Sequence, residues 1–291
     1  MTTSTRLAPL VHPGPVASSR LGSVATGVVV ERVSLAPGRR LIDAIDEELV
    51  RLGLDSAQVD LLGGPLGRVS YCFPALSPDG STAAWYSETH EAVVPAELVG
   101  GSATVGRRDG ERFVHCHAAW FDAFGQLRGG HLWPDTVVGA TPVEIVLHAF
   151  DSVALTSGTD DETLMPVFTP RSAERRDAPG ERCRAVMSRV RPGVEVHDAI
   201  RQVMDVAGFA RASVRGSLGS LVGATLLRPD GTVTSDGPAT EVALSGHASS
   251  EEAHLSAIVI DRHGAVSIGE LAERGNLVAI TFELLVEEVL A

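Results

Sequence analysis

Leu35-Ala36-Pro37-Gly38, followed by Leu41-Ile42-Asp43-Ala44-Ile45, returns as Val190-Arg191-Pro192-Gly193, followed by Val196-His197-Asp198-Ala199-Ile200, at an offset of 155 residues. The same offset carries Gly53 onto Gly208, Val59 onto Val214, Gly64 onto Gly219 and Leu66 onto Leu221. Further on the offset becomes 139, and His115, Asp122, Gly125, Gly130 and Glu144 fall on His254, Asp261, Gly264, Gly269 and Glu283. Glycines and turn residues that recur in order indicate a duplicated unit. The boundaries expected are an N-terminal arm at 1–21, a first domain at 22–152, a linker at 153–180 and a second domain at 181–291. The join around Thr156 to Glu181 is rich in Ser, Thr, Asp, Pro and Arg, which reads as linker.

Within each unit a strand leads through a Pro-Gly turn into one helix. Leu41, Ile45, Leu49 and Leu52 recur at helical spacing, as do Val196, Ile200, Val203 and Ala207, and each run stops at a glycine, Gly53 or Gly208. The remainder reads as short strands between Gly, Pro and Asp turns. The candidates in the first unit are Ala57–Leu62, Val69–Phe73, Ala83–Tyr86, Ala96–Val105, Phe113–Phe121 and Val143–Phe150. The expected fold class is therefore α+β. It comprises two tandem domains, each a mostly antiparallel sheet of about seven strands with one main helix.

The chain has 291 residues, 44% of them apolar and 21% charged, with a formal net charge of −13. That balance predicts no long basic surface for tracking phosphates, and direct nucleic-acid contact is not expected. No apolar run approaches the ~18 residues that span a membrane, and the first 21 residues lack a signal-peptide pattern. Three cysteines without a CxxC pair argue against a disulfide scaffold, so the expected location is cytoplasmic.

The chemistry concentrates in Phe113-Val114-His115-Cys116-His117 and Gly129-Gly130-His131. His115 and His117 are two apart in a strand and project from one face, and a hairpin centred near Phe124 brings His131 opposite Cys116 or His117. Three imidazoles on one face resemble an open metal site; zinc suits them best, although other divalent metals take the same donors. Cys116 points to the opposite face and reads as core.

The block His115-Cys116-His117-Ala118, Asp122, Gly125 and Gly129-Gly130-His131-Leu132 resembles the plants-and-prokaryotes-conserved (PPC) domain family. Pro37-Gly38, Ala96-Glu97-Leu98-Val99-Gly100-Gly101, Thr136-Val137-Val138 and Val143-Glu144-Ile145 extend the resemblance. It implies a small α+β domain that assembles in threes, with a metal on the histidines in prokaryotic relatives. In plants the domain accompanies an AT-hook in DNA-associated proteins, but no Arg-Gly-Arg-Pro element occurs here. The second copy keeps His254 but has Ser256 and Glu270 at the other ligand positions, so it reads as a degenerate copy without its metal.

The expected function is a metal-dependent enzyme of lyase, hydrolase or tautomerase type, acting on a small oxygenated carboxylic acid. Glu97, which matches an acidic position in the middle strand of the resembled family, is its candidate proton carrier, or else a carboxylate that orients a ligand histidine. Arg68, Tyr71 and Trp85, with His90, are candidate substrate contacts, Arg68 as the carboxylate anchor. His148 closes a strand and reads as an exposed or capping residue. A homo-oligomer is expected. The alternative is a non-catalytic binding or regulatory protein whose metal is structural.

Overall fold

The computed structural model describes residues 8–228, 231–235 and 237–290. The first half contains β1 (Leu21–Leu35), α1 (Leu41–Leu52), β2 (Ala57–Arg68), β3 (Ser70–Cys72), β4 (Pro74–Ala75), β5 (Trp85–Tyr86) and β6 (His90–Glu91). It continues through β7 (Ala96–Arg108), β8 (Glu111–Phe121), β9 (Leu127–Leu132), β10 (Val137–Val138) and β11 (Val143–Phe150). A hairpin of β12 (Val153–Thr159) and β13 (Pro166–Ser172) follows. The second half has β14 (Arg182–Val190), α2 (Val196–Ala207), β15 (Arg211–Leu221), β16 (Thr225–Arg228) and β17 (Gly231–Thr234). Its last strands are β18 (Thr240–Ser249), β19 (Ala253–Ile260), β20 (Val266–Leu271) and β21 (Val278–Glu288).

The two helices form for the same reason. Leu41, Ile45, Leu49 and Leu52 make a buried stripe on α1, and Val196, Ile200, Val203 and Met204 do so on α2. Both end where a glycine takes the left-handed conformation, Gly53 at φ 70° and Gly208 at φ 71°, and turns its N–H back onto the last helical carbonyls. Each helix lies on its own apolar core, one built from β1, β2, β7, β8 and β11, the other from β14, β15, β18, β19 and β21.

Strand pairing repeats as the sequence does. In the first half β1 pairs with β11, β11 with β2, β2 with β7, β7 with β8 and β8 with β9. The order β14, β21, β15, β18, β19, β20 reproduces it in the second. The hairpin turns match in detail. Asp122 accepts the N–H groups of Phe124 and Gln126, and Asp261 accepts those of His263 and Ala265. Gly125 and Gly264 stand at φ 72° and 74° in these turns.

The halves do not hang apart. Residues Leu21–Val29 of β1 pair antiparallel with Arg182–Val190 of β14, so a single mostly antiparallel sheet runs through both halves. The sheet folds over so that β15 lies against β2 and β7, and β18 against β7 and β8, with both helices outside. The stretch expected as a linker is half strand. β12 extends β7 in parallel and pairs with β13, burying Leu155, Met165, Val167 and Phe168. Most of its sparse apolar residues point inward, with Leu164 left exposed, a pattern that its average composition hides. Residues 1–7 of the expected arm lie outside the described residues; from residue 8 on it runs along the surface, where His12 Nε2 lies 2.9 Å from the Ala279 carbonyl and Arg20 pairs with Glu162. No described helix is long and apolar enough to cross a membrane.

Candidate metal centre

Alternation along β8 sends Val114, Cys116, Ala118 and Trp120 into the first core and His115 and His117 to the face that meets the second half. β9 returns with His131 directly opposite His117. The three imidazoles converge with their nearest nitrogens within 4.8 Å of one another, the one such group of three among the described residues. His117 and His131 are buried, and His115 is partly so.

The two glycines before His131 are required by space. A Cβ on Gly130 would lie 2.4 Å from the Cys72 carbonyl oxygen, and one on Gly129 would lie 2.7 Å from Ile260 of the second half. β9 is thereby pressed between β3 and the other half, which aims His131 inward.

The second half sets the tautomers. His115 Nδ1 lies 2.7 Å from the Glu283 carboxylate, and His117 Nδ1 lies 3.1 Å from the Val242 carbonyl. Both acceptors demand a proton on Nδ1, which leaves the Nε2 lone pairs of neutral rings facing each other at 3.0 Å. Two lone pairs at that distance repel unless an electrophile lies between them. Two nitrogens bound to one ion at ~2.0–2.1 Å are themselves about 3 Å apart, so the donor set fits a metal ion. Burial, together with the neighbouring imidazoles, holds His117 and His131 well below the usual histidine pKa, which keeps their donor nitrogens free.

Beside the triad opens a cavity of about 300 Å³ between the halves, walled by Tyr86, Phe113, Trp133, Phe168 and Ile280. Arg108, Ser157, Glu241 and Thr281 also reach it. Glu241 is buried there with one carboxylate oxygen unpartnered among the described residues, and burial pushes its pKa well up.

The structure distributes the expected site residues unevenly. It unites His115, His117 and His131, and it places Trp85 on the cavity wall. Glu97 stands exposed on β7, five residues before the Ser102 that pairs with His117, roughly 16 Å of strand away. It does not line the cavity. Arg68 is on the surface between Asp135 and Glu91. Tyr71 packs edge-on against Trp120 at 4.8 Å, and His90 stacks on Phe73 at 4.9 Å; neither lines the cavity. The acids near the triad are Glu241 and Glu283, both from the second half. Nothing in their local sequence marks them, since they stand in the copy that lacks the histidines. His148 corrects its expectation too: it is buried, because it points into the joint between the halves.

The second copy repeats the register without the site. Ser256 pairs with Glu270 as His117 pairs with His131. His254 Nδ1 meets Glu270 at 2.8 Å on an exposed surface and its Nε2 lies 3.6 Å from Glu252, but no second group of three convergent ligands forms among the described residues.

The family model for the Plants and Prokaryotes Conserved (PCC) domain matches residues 10–151 and 178–290. No curated protein matches the chain. Among solved structures, a metal-containing protein from Archaeoglobus fulgidus is 21% identical with a TM-score of 0.41, covering 50% of this chain and 97% of its own. A plant- and prokaryote-conserved (PPC) protein from Pyrococcus horikoshii is 20% identical with a TM-score of 0.39, covering 52% and 96%. A Ralstonia eutropha protein named "Putative DNA-binding protein" is 18% identical with a TM-score of 0.39, covering 47% and 88%. These findings correct two expectations. The family match points to non-catalytic binding, in place of the expected metal-dependent enzyme acting on a small carboxylic acid. The expected carboxylate substrate and the expected absence of a nucleic-acid partner find no support in these comparisons.

Proposed function

Because this chain belongs to the Plants and Prokaryotes Conserved domain family, we propose that it is a non-catalytic binding or regulatory protein. In this reading a divalent metal on His115, His117 and His131 is architectural. One observation carries the proposal. The outer nitrogens of two of the three candidate ligands are held by Glu283 and Val242 of the other half. An ion there would fix ligand rings whose orientation depends on half-to-half docking, so binding it favours the docked state. Three imidazoles suit zinc, the ion we assign. The degenerate surface of the second half makes one site per chain the expected content. Cytoplasmic residence is our reading of three cysteines that are all free.

The test is metal analysis of the purified protein with a thermal melt before and after chelation. About one equivalent of metal is expected, lost in His117→Ala, with a lower melting temperature in the variant and after chelation. A protein that is metal-free and cannot be loaded overturns the reading, as does a melt indifferent to the ion. The name of the Ralstonia neighbour makes duplex DNA the first partner to try. Specific contact would appear as a mobility shift that salt weakens steeply.

A further inference from the structure

Away from the histidine triad, a second cluster of ionisable groups crosses the joint. His148 on β11 is buried and points at the other half. Its Nδ1 lies 2.6 Å from Glu287 of β21, and its Nε2 lies 3.0 Å from Asp60 of β2. With both carboxylates ionised, both ring nitrogens must donate, so the ring is an imidazolium. Asp60 spends its other oxygen on the Gly216 N–H of β15, at 2.8 Å. Gly216 has φ 52°, and a Cβ there would lie 2.8 Å from the Val59 nitrogen, so only glycine allows the two backbones to come this close. The repeat adds a relation: His148 plus the offset of 139 is residue 287, so the imidazolium faces its own counterpart from the other copy.

We propose that Asp60, His148 and Glu287 form a proton-operated latch between the halves. While His148 carries both ring protons it ties β2 and β11 to β21. When one leaves to solvent, one hydrogen bond is lost and two carboxylates face a neutral ring. The joint at Gly216 then loosens.

The charged environment supports this direction. Burial alone would lower the His148 pKa, but the hydrogen bonds to Asp60 and Glu287 outweigh it and raise it to about 9. Since the folded value lies above the ordinary 6.5, the stabilisation is complete below pH 6.5 and is lost as pH climbs through about 9. The separation corresponds to a change on the order of a hundredfold in the closed-to-open ratio. Other groups face the latch from β15 and β14. Arg215 lines a groove with Asp60, His148 and Glu287, Ser213 Oγ lies 3.5 Å from Glu287, and burial, with the Glu287 charge added, pushes the Cys183 thiol up to about 11. All 24 basic residues of the chain are arginines, so no lysine titrates in this window.

Hydrogen–deuterium exchange on the full chain, corrected for intrinsic rates, at pH 7 and pH 9.5 tests the latch. In the wild type, protection around Gly216 and along β11 and β21 is expected to fall at least tenfold between the two values. His148→Gln, which cannot carry the charge, should show weak protection at both. Glu287→Gln removes one supporting carboxylate and should move the loss to lower pH, and it keeps the test informative if His148→Gln fails to fold. Protection that stays constant to pH 9.5 in the wild type would overturn the proposal. So would a pH response in Glu287→Gln identical to that of the wild type.

Discussion

Glu283 and His115 stand 168 residues apart in sequence and 2.7 Å apart in space, joining the buried carboxylate of one half to an imidazole of the other. The carboxylate fixes the ring's orientation and puts the proton on Nδ1. The candidate ligand atom is thus prepared by a residue from the copy that has no triad of its own.

Replacing that carboxylate tests the dependence. Glu283→Gln keeps the shape but weakens the acceptor, and metal affinity should fall about 10- to 100-fold, as for other partners that orient a ligand histidine. Competition with a chromophoric chelator measures it. Unchanged affinity would detach the second half from the metal site.

Gly130→Ala should displace β9, because its new Cβ would meet the Cys72 carbonyl oxygen at 2.4 Å. A loss of about 1–3 kcal/mol is expected from forced overpacking, together with reduced metal content as His131 shifts. Gly22→Ala, where a Cβ meets nothing within 4 Å, serves as the control with a near-neutral effect. Equal melts for the two variants would contradict the packing argument.

Asp160 and Arg189 are both buried and lie 2.8 Å apart. Asp160→Ala strands the guanidinium and should cost about 3–5 kcal/mol in denaturant unfolding. Burial would raise the Asp160 pKa, but Arg189 and Arg191 more than reverse this and hold the carboxyl below its usual range. Its stabilisation is therefore complete above the ordinary value of 3.8 and is lost as pH falls through the depressed value. The variant's stability should depend less steeply on acid than the wild type's.

Ile45 and Ile200 are counterparts at the offset of 155, and both are fully buried. Ile45→Ala and Ile200→Ala should each cost about 2–5 kcal/mol. If the two cores are as alike as their strand pairing, the costs will agree to within about 1 kcal/mol. A several-fold disparity would show that one half carries the stability of the other.

The sequence by itself determined the repeat, both helices with their glycine stops, the alternation that separates Cys116 from His115 and His117, and a hairpin that brings His131 opposite Cys116 or His117, of which the structure selects His117. These features are local: a helical stripe, a strand period of two and a turn with a positive-φ glycine are written within a dozen residues. The tertiary structure alone decided what surrounds the histidines. Glu97 is a candidate because it matches an acidic position in the family's middle strand, yet it lies exposed near the start of that strand, away from the triad. Glu241 and Glu283 stand in the copy without histidines, where nothing local marks them, yet the fold of one sheet over the other sets them against the triad. His148 reads as an exposed or capping residue because it closes a strand, yet it points into the joint between the halves. Contacts between the copies depend on how two sheet faces stack, and neither spacing nor composition within one copy encodes that geometry.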